Sequence, residues 1–532
     1  MNRNSYRNSY KGLRIYIIYI FLVTFTFALK AQNDYLIRNV SLISMEKDTI
    51  IQNSDVFILN NRIHKIGNNF EIDSSKVKIV DGTNKYLMPG LADMHMHLWG
   101  DSTALRYYVV NGITSVKSMS GKPEYLDWAK QIESGKKLSP QLYISGPLMN
   151  DISFLQPYIP IPVKLVFFWF HIIVFTILIY TILRIAFRKR IKKHPRRILI
   201  EFGLPVIIFI TGFCIEYLFV PSIQVAAEGE VCVFSRNWEV RKLVKKQKQI
   251  GYNSIKPYVS MRQNHFTTML DESNKLDIPV VGHIPARVRI EDVIMHKMRG
   301  LAHVEELRYH FYKGYDFSGN TSSCGQIDTL GLDNITKRLQ KAGIFVKSTI
   351  IACKDYNDRQ KNESAFFSKP EFDYIPSKTL ENFKKYGGLT QEQYPEKEFW
   401  LLTTMLKSCH KNGVMIVLGT DSQWKTDVHG FTVHEELQIL VDNGFSNYEA
   451  LETATKNAAI SVNSLNEWGT IEEGKRADLL LLDENPLENI NNTRTISGLI
   501  LNGKWFDKIA LDKILEDLKE FQYTNDRVIS YR

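Results

Sequence analysis

Apolar residues along this chain of 532 residues fall into three kinds of run. The first kind is short and recurs. ITSVKSMS (113–120), QLYISGP (141–147), SIKPYVS (254–260), PVVGHIP (279–285), GLAHVEEL (300–307), GIFVKSTII (343–351) and VMIVLGTDS (414–422) are compact runs bounded by turn residues, the signature of buried strands. Helical patterns separate several of them, at 122–134, 237–250 and 430–461. With the run ending LADMHMH (91–97) the strands number eight. Alternating β and α units predict an α/β fold with a parallel sheet, and eight of them a (β/α)8 barrel (a TIM barrel) with its active site at the carboxyl ends of the strands.

The second kind alternates apolar with polar positions and lies at both ends of the chain. YLIRNVSLI and DVFILNNRIHKIG, with Asn60-Asn61 as a turn signal, fall between Asp34 and Gly82. GTIEEGKRADLLLLD and TISGLILNGKWF fall between Gly469 and Trp505. They predict a small β-sandwich assembled from 34–85 and 466–510, flanking a barrel made of 86–155 and 230–465, with a helix or tail over 511–532.

The third kind is long and continuous. IYIIYIFLVTFTFA (15–28) follows a basic start and predicts a secretory signal peptide over 1–31, cleaved after Ala31, or else an uncleaved anchor. Inside the third barrel unit, LVFFWFHIIVFTILIYTIL (165–183) has His171 as its sole titratable side chain of ordinary pH. ILIEFGLPVIIFITGFCIEYLFV (198–220) is interrupted by Glu201, Pro205 and Glu216. About 20 apolar residues cross a bilayer, so 160–225 is expected to be a transmembrane helical hairpin. The bland alternative is a buried pair of core helices, which would not need the basic connection described next.

The net charge of +10 is concentrated. Residues 1–14 carry four basic side chains and 184–197 carry eight, with no acid in either stretch, so the remainder is at −2. That excludes a nucleic-acid partner for the bulk of the chain. It also orients the hairpin, because basic connections stay in the cytoplasm. Barrel strands on either side of the hairpin must share one side of the membrane, so the catalytic domain is expected to be extracytoplasmic (periplasmic) on a multi-pass protein of the cytoplasmic membrane. The hairpin leaves the barrel at its catalytic face, which turns the mouth toward the lipid bilayer. The five cysteines have no C-x-x-C spacing, and a Cys324–Cys353 disulfide stays open.

Candidate chemistry sits at the strand ends. His95 and His97 are two apart and share a strand face. Lys256, His283, His303 and Asp421 end later apolar runs. Each alone has an ordinary reading: a core histidine, a solvated lysine, a turn-capping aspartate. Together they make a divalent-metal site, because imidazole and carboxylate are the ligands such ions take.

MPGLADMHMH, NGITSVKSM, SIK, VVGH, GLAHVEE, VLGTDS, HGFTVHEELQILVDNG, ALETATKNAA and GTIEEGKRADLLLLDENPLENI resemble the metal-dependent amidohydrolase superfamily, its imidazolonepropionase-like and prolidase-like branch, over about 34–150 and 230–508. The resemblance implies a barrel with a β-sandwich, and one or two divalent ions, zinc first, with manganese or iron as alternatives. It implies metal ligation by His95, His97, His283, His303 and Asp421, with a carbamylated Lys256 bridging two ions in the binuclear members. It also implies hydrolysis of an amide, peptide or cyclic amide by a metal-activated water, with Asp421 as the catalytic base. The hairpin departs from the soluble family pattern.

Further substrate-binding candidates are Tyr258, which shares a strand face with Lys256 (or is a packed aromatic), Arg287, suited to an acidic group, and His429, with His434 more suited to orienting neighbours. A deaminase of this scaffold would carry a glutamate soon after the fifth-strand histidine, where this chain has Ile284-Pro-Ala-Arg287. The remaining alternative is a membrane-anchored binding or sensory protein without turnover. The expected partner is a small-molecule or peptide substrate, with homo-oligomerisation left open. The least patterned stretches, 148–165, 308–335 and 352–398, are expected to be recognition loops.

Overall fold

The computed structural model describes residues 34–151, 231–311, 331–386, 396–422 and 428–530, apart from 74, 76 and 376. The leader (1–31), both expected spans (165–183 and 198–220) and Cys324 lie outside these residues. Among the described residues no helix is long and apolar enough to cross a membrane.

Strands from both chain ends form one sheet. β1 (Tyr35–Leu42), β2 (Ile51–Leu59), β3 (Arg62–Gly67), β4 (Lys78–Asp81) and β5 (Tyr86–Pro89) come from the first end. β15 (Leu479–Leu482), β16 (Ile496–Leu501) and β17 (Lys504–Asp507) come from the other. Their order is β17-β16-β15-β5-β1-β2-β3, with β4 also on β1. The expected sandwich is thus a single sheet that curls. Ile63 N donates to Lys475 O (2.9 Å) and Gly474 N to Ile63 O (2.7 Å), drawing the β3 edge back toward the approach to β15. The curl encloses Ile37, Val56, Ile58, Leu87, Leu481 and Ile500, alternate residues on inward faces. Asn60 and Asn61 turn β2 into β3 with φ of 51° and 63°, the paired left-handed geometry that suits tight hairpins and that asparagine tolerates.

The second region is parallel. β6 (Leu91–Met96), β7 (Ile113–Ser118) and β8 (Gln141–Ile144) form one sheet. β11 (Val281–Gly282), β12 (Gly300–Leu301), β13 (Phe345–Lys347) and β14 (Ile416–Val417) form another. Between them, the segment around Ser254 and Ile255 bridges to Ser145 on one side and Val280 on the other, both in parallel sense. Across the far edge Met94 N donates to Leu418 O (3.0 Å), and Met96 bridges Ser422. Helices Pro123–Glu133, Asn237–Ile250 and Phe431–Asp442 run where the pattern places them.

The strands are shorter than the apolar runs, and the run at 254–260 forms only isolated bridges. Pro257 and Pro279 have no N–H to give a ladder. GLAHVEEL keeps two strand residues and then winds into a 3₁₀ segment, Val304–His310. The stretch 352–398 is not a loop where described. It holds helices Ile351–Lys361, Glu363–Phe366 and Ser377–Tyr386, with Pro370–Tyr374 as a 3₁₀ turn. β9 (Leu148–Asp151) and β10 (Val231–Phe234) pair in parallel on the two sides of 152–230, which lies outside the described residues.

Candidate metal centre

Asp93 builds the frame on which the site rests. Its carboxylate accepts from His95 N (3.0 Å), Thr420 N (3.1 Å), Thr420 Oγ1 (2.6 Å) and Tyr108 OH (3.2 Å). The first parallel strand is thereby tied to the segment after β14. The two lie close because residue 419 is glycine: a Cβ there would come within 2.6 Å of His95 Cβ. Pairing of β6 with β7 shifts register between Asp93 and Met96, an irregularity of the kind that re-aims side chains beside active sites. Asp421 follows at φ 61° and Thr349 at φ 48°, left-handed positions that cost energy for side chains of these types.

Three imidazoles are held by their Nδ1 atoms. His95 Nδ1 is 2.9 Å from Ala302 O, His283 Nδ1 is 2.6 Å from Glu306 Oε1, and His303 Nδ1 is 2.9 Å from Thr349 Oγ1. A carbonyl accepts only, so His95 carries its proton on Nδ1 and turns a bare Nε2 inward. His95 Nε2 stands 3.1 Å from Asp421 Oδ1, and His97 Nε2 3.2 Å from the same oxygen. Lone pair facing lone pair at 3.1 Å in a buried site calls for a cation between them. Lys256 Nζ lies 3.3 Å from His95 Nε2.

Charge states agree with that reading. Burial, and then the Lys256 charge, holds His95 well below the usual imidazole range; burial and His95 do the same for His303. Burial works against ionisation of Asp421, but His95, His303 and His97 around it outweigh that and hold its carboxyl well below the usual range. Burial brings the Lys256 amine down to about 8, against the opposing pull of Asp421 and Glu306. Neutral imidazoles beside an ionised carboxylate are a donor set that binds zinc and its neighbours. The donor atoms of His95, His303 and Asp421 lie within 4.8 Å of one another, as do those of His283, His303 and Glu306, so one or two ions fit.

Of the residues expected from the sequence, the structure gathers His95, His97, Lys256, His283, His303 and Asp421 into this cluster. The Tyr258 ring stands edge-on to His283 with centroids 5.0 Å apart. His429 is buried, with Nδ1 3.1 Å from Tyr108 OH; burial and then His97 bring its imidazole down to about 3. Arg287 is exposed. His434 turns elsewhere, to Thr493 Oγ1 (2.8 Å) and Asn111 O (3.1 Å), and orients structure. Asp93, Glu306 and Thr349 were missed. Asp93 was findable, since it precedes His95 by two residues on the same strand face. Glu306 and Thr349 had no local signal, because their partners are distant in sequence.

The family model for the amidohydrolase family matches residues 267–506. A 5-methylthioadenosine/S-adenosylhomocysteine deaminase of Carboxydothermus hydrogenoformans is 39% identical over 64 residues, 12% of this chain and 14% of that protein. Ochratoxinase of Aspergillus niger is 38% identical over 123 residues, 21% of this chain and 25% of that protein. The chain thus aligns with only a seventh to a quarter of the length of these curated relatives. Among solved structures, a Xaa-Pro dipeptidase with methionine bound in its active site superposes with a TM-score of 0.57 at 17% identity, over 89% of this chain and all of that one. Donor set and fold likeness agree with the match of residues 267–506 to the amidohydrolase family.

Proposed function

We propose that this protein is a metal-dependent hydrolase of C–N bonds (amide, peptide or cyclic amide) of the prolidase-like branch, with its two parallel sheets acting as one (β/α)8 barrel. The observation that carries this reading is the convergence of His95 Nε2 and His97 Nε2 on Asp421 Oδ1, at 3.1 and 3.2 Å. His95, His97, His283, His303 and Asp421 would hold the ion, zinc first by donor set, and Lys256, as a carbamate, would serve a second. A bound divalent cation supplies Lewis-acid polarisation of a carbonyl and a water that reacts near neutral pH.

The chain's own groups do the rest. Asp421, kept ionised, takes the proton of the attacking water at its carboxylate and delivers it to the departing amine nitrogen. Ala302 O keeps His95 in one tautomer, and Glu306 lies beside His283 Nδ1. Tyr258, edge-on to His283, is placed to steady a substrate oxygen. The deaminase relative favours amine release from a ring as the second reading. Against it, Glu306 is tied through Oε2 to Ile284 N (2.8 Å), which fits an acid that orients its surroundings beside His283. The apolar runs at 165–183 and 198–220 and their basic connection support membrane attachment, with the site extracytoplasmic.

The test is a screen of dipeptides, N-acyl amino acids and cyclic amides on full-length protein loaded with zinc or manganese. Detergent should be needed to release the protein from membranes, and at least one class should be hydrolysed. Recovery in a salt-washed soluble fraction would overturn the membrane part. Ammonia release from purines, with no amide cleaved, would overturn the hydrolase part.

A further inference from the structure

The row of rings at the site extends past the histidines at both ends. Ring contacts run Tyr258–His283–His303–His95–His97–Trp99, with centroids 5.0, 4.9, 4.5, 5.6 and 5.0 Å apart. The imidazoles are therefore bracketed by an aromatic side chain on either side. Tyr258 meets its neighbour edge-on, whereas Trp99 lies nearly parallel to His97, with 12° between the planes. Trp99 comes three residues after the end of β6, so it stands at the carboxyl end of that strand, where the active site of a parallel barrel opens.

Folding does not account for a tryptophan at this position. An exposed apolar side chain means little by itself, but here it coincides with backbone strain and a stacked partner. Trp99 is 48% exposed, although the His97 against which it stacks is buried. Its backbone is left-handed, with φ of 47°, and Gly100 follows at φ 85°. Asp101 N closes the turn on Leu98 O (2.8 Å), so both central residues hold positive φ. In that type I′ geometry asparagine before glycine is the usual choice, and a bulky aromatic is strained. Neighbours hold the strain in place. Gly100 N donates to the hydroxyl of the buried Tyr125 (2.8 Å), and Asp101 Oδ1 accepts from Thr103 N (2.8 Å) and Thr103 Oγ1 (2.6 Å). An indole kept half in water, on a backbone that resists it and flat against an imidazole of the candidate metal centre, is placed for a ligand.

We propose that Trp99 is a specificity-determining residue, whose indole is the platform for an aromatic ring carried next to the scissile C–N bond of the substrate. This deepens, and rests on, the reading of the site as an amide hydrolase. Aromatic pairs favour centroid separations of about 4.5–7 Å, the range already found along the row. A substrate ring on Trp99 extends the row by one member and leaves the adjoining amide beside the histidines. A methyl group in the ring's place forfeits that contact.

The test uses detergent-solubilised full-length protein and two pairs of dipeptides that differ only by a phenyl ring: alanyl-glycine with phenylalanyl-glycine, and glycyl-alanine with glycyl-phenylalanine. Hydrolysis by zinc-loaded protein gives kcat/KM. Titration into metal-free protein, followed by NMR of the peptide, gives Kd without turnover. Wild type should favour the phenyl-bearing member of at least one pair by about tenfold or more in both measures, the scale of one apolar contact in a pocket. Trp99→Asn, whose side chain suits the left-handed turn and so keeps the fold, should bring that ratio close to one. Trp99→Phe should keep most of it. Equal losses for both members of a pair, with the ratio intact, would make Trp99 a cover for His97 and overturn the proposal. A wild type without phenyl preference overturns it as well. Phenyl-selective binding with no amide cleaved in the wider screen would leave the platform standing and overturn the hydrolase reading.

Discussion

The curled sheet and the parallel strands meet at one short stretch of chain, where Gly90 separates β5 from β6; the sheet has an apolar inner face with a few buried acids such as Asp55 and Asp478, whereas the parallel region buries a cluster of titratable groups beside its own apolar core. Inside the sheet are Ile37, Val56, Ile58, Leu87, Leu481 and Ile500, and an ion pair such as Arg62–Glu467 stays at its surface. Inside the parallel region are Asp93, His95, Lys117, Lys256, His283, His303, Lys347 and Glu436, all buried. Apolar burial stabilises by about 25 cal/mol for each Å² removed from water. Burying charge opposes stability unless partners compensate. The apolar inner face of the sheet is therefore explained by folding alone, whereas the parallel interior carries a cluster of groups that folding would reject and chemistry requires.

The sharpest way to break this contrast is at Asp421. Asp421→Asn removes the proton acceptor and leaves the shape of the side chain. Turnover of whichever amide the screen identifies should fall about 10²–10⁴-fold, the range for a lost general base. Metal content should fall less, because the histidines remain. The thermal midpoint should fall, since the fold favours this carboxyl in its ionised form and the amide gives that up. Full activity in this variant would remove Asp421 from the chemistry.

The reciprocal change belongs in the sheet. Leu481 is 1% exposed on β15 and packs within the curl. Leu481→Ala should cost about 2–5 kcal/mol through lost burial and the cavity left behind. Turnover per folded molecule, measured well below the melting transition, should stay within about twofold of wild type because the site lies in the other region. A comparable loss of turnover per folded molecule would mean that the two regions are not energetically separate.

How much of this was legible in the sequence follows the same division. The metal-ligand residues stood out because titratable side chains at the ends of apolar runs are rare, and five strand ends repeated the pattern. The hairpin at Asn60-Asn61 was legible because asparagine takes the left-handed turn. Strand lengths were not, because an apolar run looks the same whether or not its backbone is paired, and Pro257 and Pro279 decide the pairing. The helices over 351–386 were hidden because their inward faces are polar. Asp355 and Arg359 are buried there, Asp355 against Lys369 and Arg359 on Glu363 and the Phe383 carbonyl. Glu306 was hidden because what it does depends on His283, a contact that no spacing rule encodes.

The mildest probe asks whether a buried acid outside the metal cluster still marks the parallel region as costly. Glu436 accepts from Ile350 N (3.1 Å) and Ile351 N (2.7 Å), and burial, only partly offset by Ser348 and these amides, pushes its carboxyl up to about 7. A carboxyl whose folded value is raised is easier to keep protonated in the folded state than in the unfolded one. Its favourable contribution is therefore present below the ordinary value of 4.5 and is lost as pH rises through about 7. The slope from this one group is at most about 1 kcal/mol for each pH unit in that window. Glu436→Gln does not titrate, so its stability relative to wild type should improve as pH is raised from about 5 to about 8, even if the amide fits the two N–H donors less well at every pH. Denaturant melts at a series of pH values measure the difference directly. A gap between the two proteins that stays constant across the series would show that Glu436 is ionised in the fold at no special cost, and would place it with the sheet's surface acids.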